Sequence, residues 1–326
     1  MTGQPPGSGL LIGASSHDLG PQLEPQLKEA CQGRLADVRW FRTDWQRGGA
    51  ATAYAKVTMP EGGVLDAVVK VPVGPREYRF LTGLAQTEAP TPRVAFHGVE
   101  LAGYDLAWVV MERLPGNPLA AKMHHEVLPH LIEAVCLFHA HSEKLGPLPA
   151  PDSGFNWAHL LKKARECIEA NAPAHEQAWL NGIKQVSKKL PMLSKTWESR
   201  AITCWCHGDL HPGNAMLRAE GSAWGPPGTI LLDFAEAHPG HWVEDAVYLE
   251  RQFWGRPEYL DGIKPVSMLA KLRKEAGQEC SDDYTAIANV RRLLMSAVSP
   301  AFMHREGGPR YLNAAREMME RMLALV

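Results

Sequence analysis

The sequence predicts an α+β chain of two unequal parts, a smaller sheet-rich part followed by a larger, mainly helical one. Three observations carry that prediction. From residue 37 to 115 the chain runs as strand-length stretches, alternating or continuously apolar, divided by turn residues. PGNP at 115–118 then breaks the pattern. Beyond it, apolar residues recur at the spacing of helices that face a core.

The opening stretch, MTGQPPGSGLLIGASS, lacks a basic leader, so residues 1–20 read as a flexible tail rather than a secretory signal. DVRWFRT (37–43), ATAYAKVTM (51–59) and VLDAVVKVP (64–72) follow as three antiparallel strands, joined through RGG at 47–49 and PEGG at 60–63. In REYRFLTGLAQ (76–86), Phe80, Leu81 and Leu84 fall at helical spacing and predict one helix inserted into the sheet. APTPRVAFHG (89–98) returns to extended chain, because each proline steers the residue before it away from the helical region. LAWVVMERL (106–114) is a further strand, and a hinge falls at 112–118. LPHLIEAVCLFHAHSEK (128–144) sets Leu131, Val135 and Phe138 on one stripe with Ile132 and Cys136 beside it, a helix facing a core. A proline-rich link at 146–154 leads to helices across 158–200, two short strands flank WGPPG (224–228), and helix resumes from 243. The resulting division is the tail (1–20), an N-terminal lobe (21–114) and a C-terminal lobe (115–326).

Composition narrows the function classes. With 34 basic against 36 acidic residues and a formal net charge of −2, no global field captures nucleic acid or an anionic membrane. The longest apolar runs, such as LAWVVM and TILLDF, fall far short of the roughly 20 residues that a spanning helix needs. Six scattered cysteines without framework spacing point to a reducing, cytoplasmic setting.

CWCHGDLHPGN (204–214) concentrates the chemistry. Cys204, Cys206, His207 and His211 suggest zinc, but structural sites pair ligands as C-x₂₋₄-C and need a second pair, which the sequence lacks. Both cysteines are better read as small buried hydrophobes on a core strand. The hard donors say more. Asp209 and Asn214 stand as D-x₄-N with a histidine two residues before the aspartate, and Asp233 ends the apolar strand TILL. A carboxylate beside an attacking hydroxyl, with further oxygen donors for Mg²⁺, is the set that phosphoryl transfer from ATP requires. Lys70 ends a strand in AVVK, where it could hold phosphates, and Glu77 opens the next helix, where it could aim Lys70.

With these residues in order, the chain resembles the aminoglycoside phosphotransferase and choline kinase group of small-molecule kinases. The resemblance rests on HGDLHPGNAML (207–217), LLDFAEA (231–237), REYRFL (76–81) and VVMERLPGNPL (109–119). It implies a protein-kinase-like two-lobed fold, with a nucleotide-binding N-terminal lobe and a catalytic, acceptor-binding C-terminal lobe. The activity it implies is Mg²⁺-dependent transfer of the γ-phosphoryl group of ATP, or GTP, to a hydroxyl of a small molecule, with no nucleic-acid or membrane partner. By the same resemblance Asp209 is the base, Asn214 and Asp233 are the metal ligands, and Lys70 and Glu77 serve the phosphates. Gly48 and Gly49 lie in the turn over the nucleotide, and the backbone at Met111, Glu112 and Arg113 meets the adenine. His211 is either a loop-stabilising hydrogen-bond partner or a phosphate contact. His207 packs under the loop, and Asp245 tethers it. DFA stands where related enzymes carry DFG.

The acceptor is less legible. Residues 158–200 hold eight basic against four acidic side chains, which leans against a polycationic aminoglycoside but equally suits solvated helix faces. Trp157, Trp179, Trp197, Trp242 and Trp254 could form an aromatic box for choline or ethanolamine, or simply fill the core. A nucleotide-binding pseudoenzyme is the remaining alternative.

Overall fold

The computed structural model describes residues 19–43, 49–150, 155–280, 283–306 and 308–326. The expected tail therefore lies outside the described residues up to 18, and Leu19 and Gly20 open helix α1 (Leu19–Ala30). The chain divides into two packing units. One holds the described residues up to Thr82 together with Pro92–Arg113; the other holds Gly83–Thr91 and Leu114–Val326.

The first unit is built on strands β1 (Leu35–Arg42), β2 (Ala51–Thr58), β3 (Val64–Val71), β4 (Val94–Gly98) and β5 (Trp108–Glu112), in the spatial order β1-β2-β3-β5-β4. Every neighbouring pair is antiparallel. Period-two burial follows the sequence directly. Ala51, Ala53, Ala55 and Val57 on β2 are buried, as are Ala67, Val69 and Val71 on β3, which turns Lys70 to the opposite face. Helix α2 (Pro75–Leu84) follows β3 and carries the buried Glu77 in its first turn. The sheet and its inserted helix are as the sequence predicts; α1, ahead of the first strand, is additional.

The second unit is mainly helical: α3 (Val127–Ser142), α4 (Trp157–Asn171), α5 (Glu176–Glu198), α6 (Val243–Gln252), α7 (Pro265–Glu275), α8 (Tyr284–Val298), the single turn α9 (Met303–Glu306) and α10 (Pro309–Leu323). The strands flanking WGPPG are β7 (Ala215–Arg218) and β8 (Gly228–Leu231), an antiparallel hairpin. The sequence gives no warning of a second small ribbon, in which β6 (Cys204–Cys206) pairs with β9 (His238–Gly240). Residues 83–91 belong to this unit because Leu231 N–H donates to Pro90 O at 2.8 Å and Arg218 Nη2 donates to Thr91 O at 3.3 Å. Among the described residues no helix is long and apolar enough to cross a membrane.

Beneath the loop at 207–214 lies an aromatic stack. Phe138 of α3 stacks on Phe234 with centroids 5.4 Å apart, and His207 lies 5.2 Å from Phe234; all three side chains are buried. Truncating Phe138 opens a cavity that two adjoining loops cannot refill. Phe138→Ala is expected to lower the unfolding free energy by about 3–5 kcal/mol, read as a fall in the urea midpoint at unchanged slope.

Candidate active site

The 207–214 loop leaves β6 and is fixed by backbone hydrogen bonds rather than by packing alone. Asp245, in the first turn of α6, is fully buried and accepts from His207 N–H at 2.8 Å and from Gly208 N–H at 2.9 Å. His139 of α3 lies 2.9 Å from the same carboxylate through Nε2. Arg273 Nη1 approaches the other ring nitrogen of His139 at 3.2 Å, and since arginine only donates, Nδ1 must accept and Nε2–H must donate to Asp245. Burial lowers the His139 pKa and keeps the ring neutral. For Asp245, burial pushes the pKa upward, but the hydrogen bond from His139 and the loop amides outweigh it, and the carboxyl stays below its ordinary value.

Gly208 can only be glycine. Its φ is +83°, and a Cβ would stand 2.1 Å from Glu236 O. His207 then links two loops: its Nδ1 accepts from Asp209 N–H at 3.3 Å, so Nε2–H donates to Leu232 O at 3.0 Å, one residue before Asp233. The packing role read for His207 is therefore joined to a bridging one.

Asp209 is clamped on both oxygens. Tyr248 Oη–H donates to Oδ1 at 2.5 Å and Asn214 Nδ2 to Oδ2 at 2.9 Å, with His211 Nε2 3.6 Å from Oδ2. His211, with Tyr248 and Asn214 behind it, holds the Asp209 carboxyl well below the usual carboxylate range despite partial burial. The side chain is 30% exposed, so a small molecule can still reach it. His211 Nδ1 accepts from Gly213 N–H at 3.0 Å, which realises the loop-stabilising alternative and leaves Nε2–H facing Asp209.

Asn214 and Asp233 meet through the β7–β8 hairpin. Ala215 pairs with Leu231, and Leu232 N–H donates to Asn214 O at 2.8 Å, so the two candidate ligands leave the same end of the ribbon. Both Asn214 amide hydrogens are spent on Asp209, at its main-chain O and at Oδ2, which leaves Asn214 Oδ1 as the atom offered to a cation. Asp233 adopts φ +62°, a left-handed conformation rare for a residue with a side chain. An amide oxygen and carboxylates form a hard donor set that fits Mg²⁺ and does not fit a thiophilic metal.

In the other unit, Lys70 Nζ lies 2.6 and 2.7 Å from the two Glu77 oxygens. Glu112 N–H is bonded to Arg93 O at 2.8 Å and Arg113 N–H to Asp66 O at 3.3 Å, so these two donors are already used within the sheet. Met111 sits on β5 opposite Val68 and Val94. The Arg42 guanidinium occupies the space a Cβ on Gly49 would need. Gly48 lies outside the described residues.

Two alternatives that the sequence left in view, an aromatic box and a cysteine metal site, give way to packing. The five tryptophans considered for an aromatic box are all buried. Where a cage does form, from Phe155, Trp157 and Trp197, the chain's own Arg291 fills it, 4.8–5.5 Å from the ring centroids. The second concerns the cysteines. Cys206 gathers with His238 and Glu244, their donor atoms within 4.8 Å of one another, a grouping that spacing along β6 could not reveal. Glu244, however, already accepts from Arg200 and from His241 N–H, each at 3.0 Å, and burial drives the Cys206 thiol pKa far up. The cluster is an ion-pair network around a protonated thiol.

Sequence reasoning missed Tyr248, His139 and Arg273. Tyr248 was within reach, because it follows Asp245 by one helical step of three and so shares its face.

The sequence model described as the phosphotransferase enzyme family matches residues 48–264. No curated protein sequence matches significantly. Among solved structures, a Ralstonia eutropha protein provisionally named an aminoglycoside phosphotransferase is 17% identical, covering 92% of this chain and 97% of its own, with a TM-score of 0.56. An aminoglycoside phosphotransferase from Alicyclobacillus acidocaldarius is 16% identical over 83% of this chain and 88% of its own, TM-score 0.53. An amicoumacin kinase solved with AMP-PNP, Ca²⁺ and Ami is 16% identical over 92% of each chain, TM-score 0.52. At these identities the likeness is one of fold.

Two outcomes follow from the buried carboxylates. Asp245→Ala strands the His207 and Gly208 amides and His139, and is expected to cost roughly 3 kcal/mol or more in urea unfolding, at about 1–3 kcal/mol per stranded group. Glu244 is pushed upward by burial, but His238, Arg291 and Arg200 outweigh that and hold it at about 2 against an ordinary 4.5. Its stabilisation is thus complete above pH 4.5 and is lost as the pH falls toward 2. Glu244→Gln should be destabilised most at neutral pH, by about 3–5 kcal/mol, with the gap to the parent closing through that acid window in urea titrations.

Proposed function

The chain belongs to the phosphotransferase enzyme family, and from that premise we propose that it moves the γ-phosphoryl group of ATP, or GTP, to a hydroxyl of a small molecule, with Asp209 as base. The observation that carries this reading is the Asp209 carboxylate, ionised, clamped by Tyr248 and Asn214, and still exposed to an acceptor.

In this reading the acceptor hydroxyl donates to Asp209, and its oxygen forms the new bond to the γ-phosphorus as the bond to the β-phosphate bridging oxygen breaks. Nucleoside diphosphate leaves, and the proton ends on Asp209. A carboxyl held so far down is a weak base, so its contribution is chiefly to orient the oxygen. Full proton acceptance comes late, as suits a loose phosphoryl-transfer transition state. Asn214 Oδ1 and Asp233 would hold Mg²⁺, which when bound offsets charge on the phosphates. Lys70, aimed by both Glu77 oxygens, would bind the α- and β-phosphates. The segment Met111–Arg113 would meet the base through groups other than the Glu112 and Arg113 amides, while Gly49, with Gly48, would cover the phosphates. His211 would add a donor at the acceptor oxygen. The cysteine pattern favours a cytoplasmic setting.

The test is incubation of purified protein with ATP, Mg²⁺ and a pool of hydroxylated metabolites, with mass spectrometry for products heavier by one phosphoryl group. Asp209→Asn is expected to lower kcat by about 10²-fold or more while nucleotide affinity is retained. Nucleotide-dependent thermal stabilisation without any product would return the pseudoenzyme reading instead.

A further inference from the structure

Beside Asp209, wholly within the larger unit, lies a cavity of about 630 Å³. Two of its walls, His211 and Tyr248, also contact the Asp209 carboxylate, which Asn214 holds as well. Among the described residues that line it, the remaining charge is of one sign: Arg251, Arg256 and Arg310, with no aspartate or glutamate. Among the described residues neither Arg256 nor Arg310 forms an ion pair, and both are exposed. Arg251 is buried and fixed, with Nε donating to Tyr311 Oη at 2.7 Å.

The shape is built as well as the charge. Gly255 lets the chain after α6 pass against the start of α10, where a Cβ would stand 2.9 Å from Tyr311 Cα. The cavity is thereby closed at the N-terminus of α10, whose first turn carries no acid and whose free amides add further positive potential. Three guanidinium groups, each a planar cationic fork of N–H donors, match oxyanions and repel ammonium groups.

Resting on the phosphotransferase reading above, we propose that the acceptor is an anion: a hydroxylated small molecule bearing a phosphate or carboxylate group. The anionic group sits among Arg251, Arg256 and Arg310, and the hydroxyl faces Asp209. A polyamine-bearing aminoglycoside is thereby disfavoured as acceptor. The selectivity resides in α6, α10 and the chain after α6, rather than in the basic surface of residues 158–200, where Lys162 and Arg165 pair with Glu166 and Glu169 on exposed helix faces.

The experiment separates binding from turnover. Calorimetric titration of the full-length protein uses glucose 6-phosphate and ribose 5-phosphate as phosphate probes, gluconate and glucuronate as carboxylate probes, glucose and ribose as neutral probes, and kanamycin as a cationic one. Anionic probes are expected to bind at least about 10-fold tighter than neutral ones, less so as salt rises, and Arg256→Ala and Arg310→Ala should each weaken them by about 10-fold. Both positions are exposed, so unchanged melting temperatures check the fold. Neutral or cationic probes binding as well as anionic ones, or anion affinity indifferent to both substitutions, overturns the proposal. ADP release measured on the same panel distinguishes the two readings. Arginine-dependent anion binding with no ADP from any acceptor rejects the phosphotransfer reading and leaves the anion site standing. ADP release confined to glucose, ribose or kanamycin rejects the anion site and leaves phosphotransfer standing.

Discussion

The site depends on one buried carboxylate. Asp245 contributes nothing that a substrate would touch, yet its two oxygens hold the peptide amides of His207 and Gly208 and the ring of His139. An ionised carboxylate without water is unfavourable unless its lone pairs are filled, and here three donors fill them. The reverse also holds: the loop's amides would be orphaned without it. This mutual need fixes where the chain leaves β6, and Asp209 follows two residues later. Arg273 stabilises the arrangement from behind by fixing the tautomer of His139.

From that anchor the hydrogen bonds spread outward in one direction. His207 carries the position of the Asp209 amide to the carbonyl of Leu232, and Asn214 ties the Asp209 carboxylate and carbonyl to the β7–β8 hairpin. His207 to Leu232 O, and Leu232 N–H to Asn214 O, join the loop to the segment ending in Asp233, while the Asn214–Asp209 bonds brace the loop itself. The three oxygen-bearing side chains are therefore coupled through part-buried hydrogen bonds of 2.9–3.3 Å, and a change in one is felt by the others. Non-additive effects are expected of such a network.

What the sequence made legible was what lies close along the chain or in a regular period. D-x₄-N spans one loop, the hairpin flanking WGPPG brings Asp233 back to Asn214, and strand alternation places Lys70 opposite Val69 and Val71. What it hid depends on long-range contact. His139 reaches Asp245 across 106 positions and Arg273 reaches His139 across 134, and no local pattern encodes either. The tryptophans were legible as large apolar area but not as a cage already filled by Arg291, since the occupant comes from α8. The cavity arginines stayed hidden for the same reason: two follow from α6, while Arg310 begins a helix beyond the family-matched segment.

Helix α6 converts these separate contacts into an ordered line. Consecutive residues on a helix diverge by about 100°, so Glu244 and Asp245 serve different networks, whereas steps of three or four stay on one face. Asp245 tethers the loop, Tyr248 clamps Asp209, and Arg251 and Gln252 line the cavity, in that order along one face. At 1.5 Å per residue, the cavity residues stand roughly 9–10 Å along the axis from the tether. Rotation of α6 would displace tether, clamp and cavity wall together, so its azimuth has to be fixed. Glu244 to Arg200 at its start and Glu250 to Arg292 of α8 near its end do this from other sides, each pair with little solvent access and short contacts of 3.0 and 2.6 Å. Because the restraints flank this face without sharing it, the surface that lines the cavity can change in sequence while Asp209 and its loop keep their position.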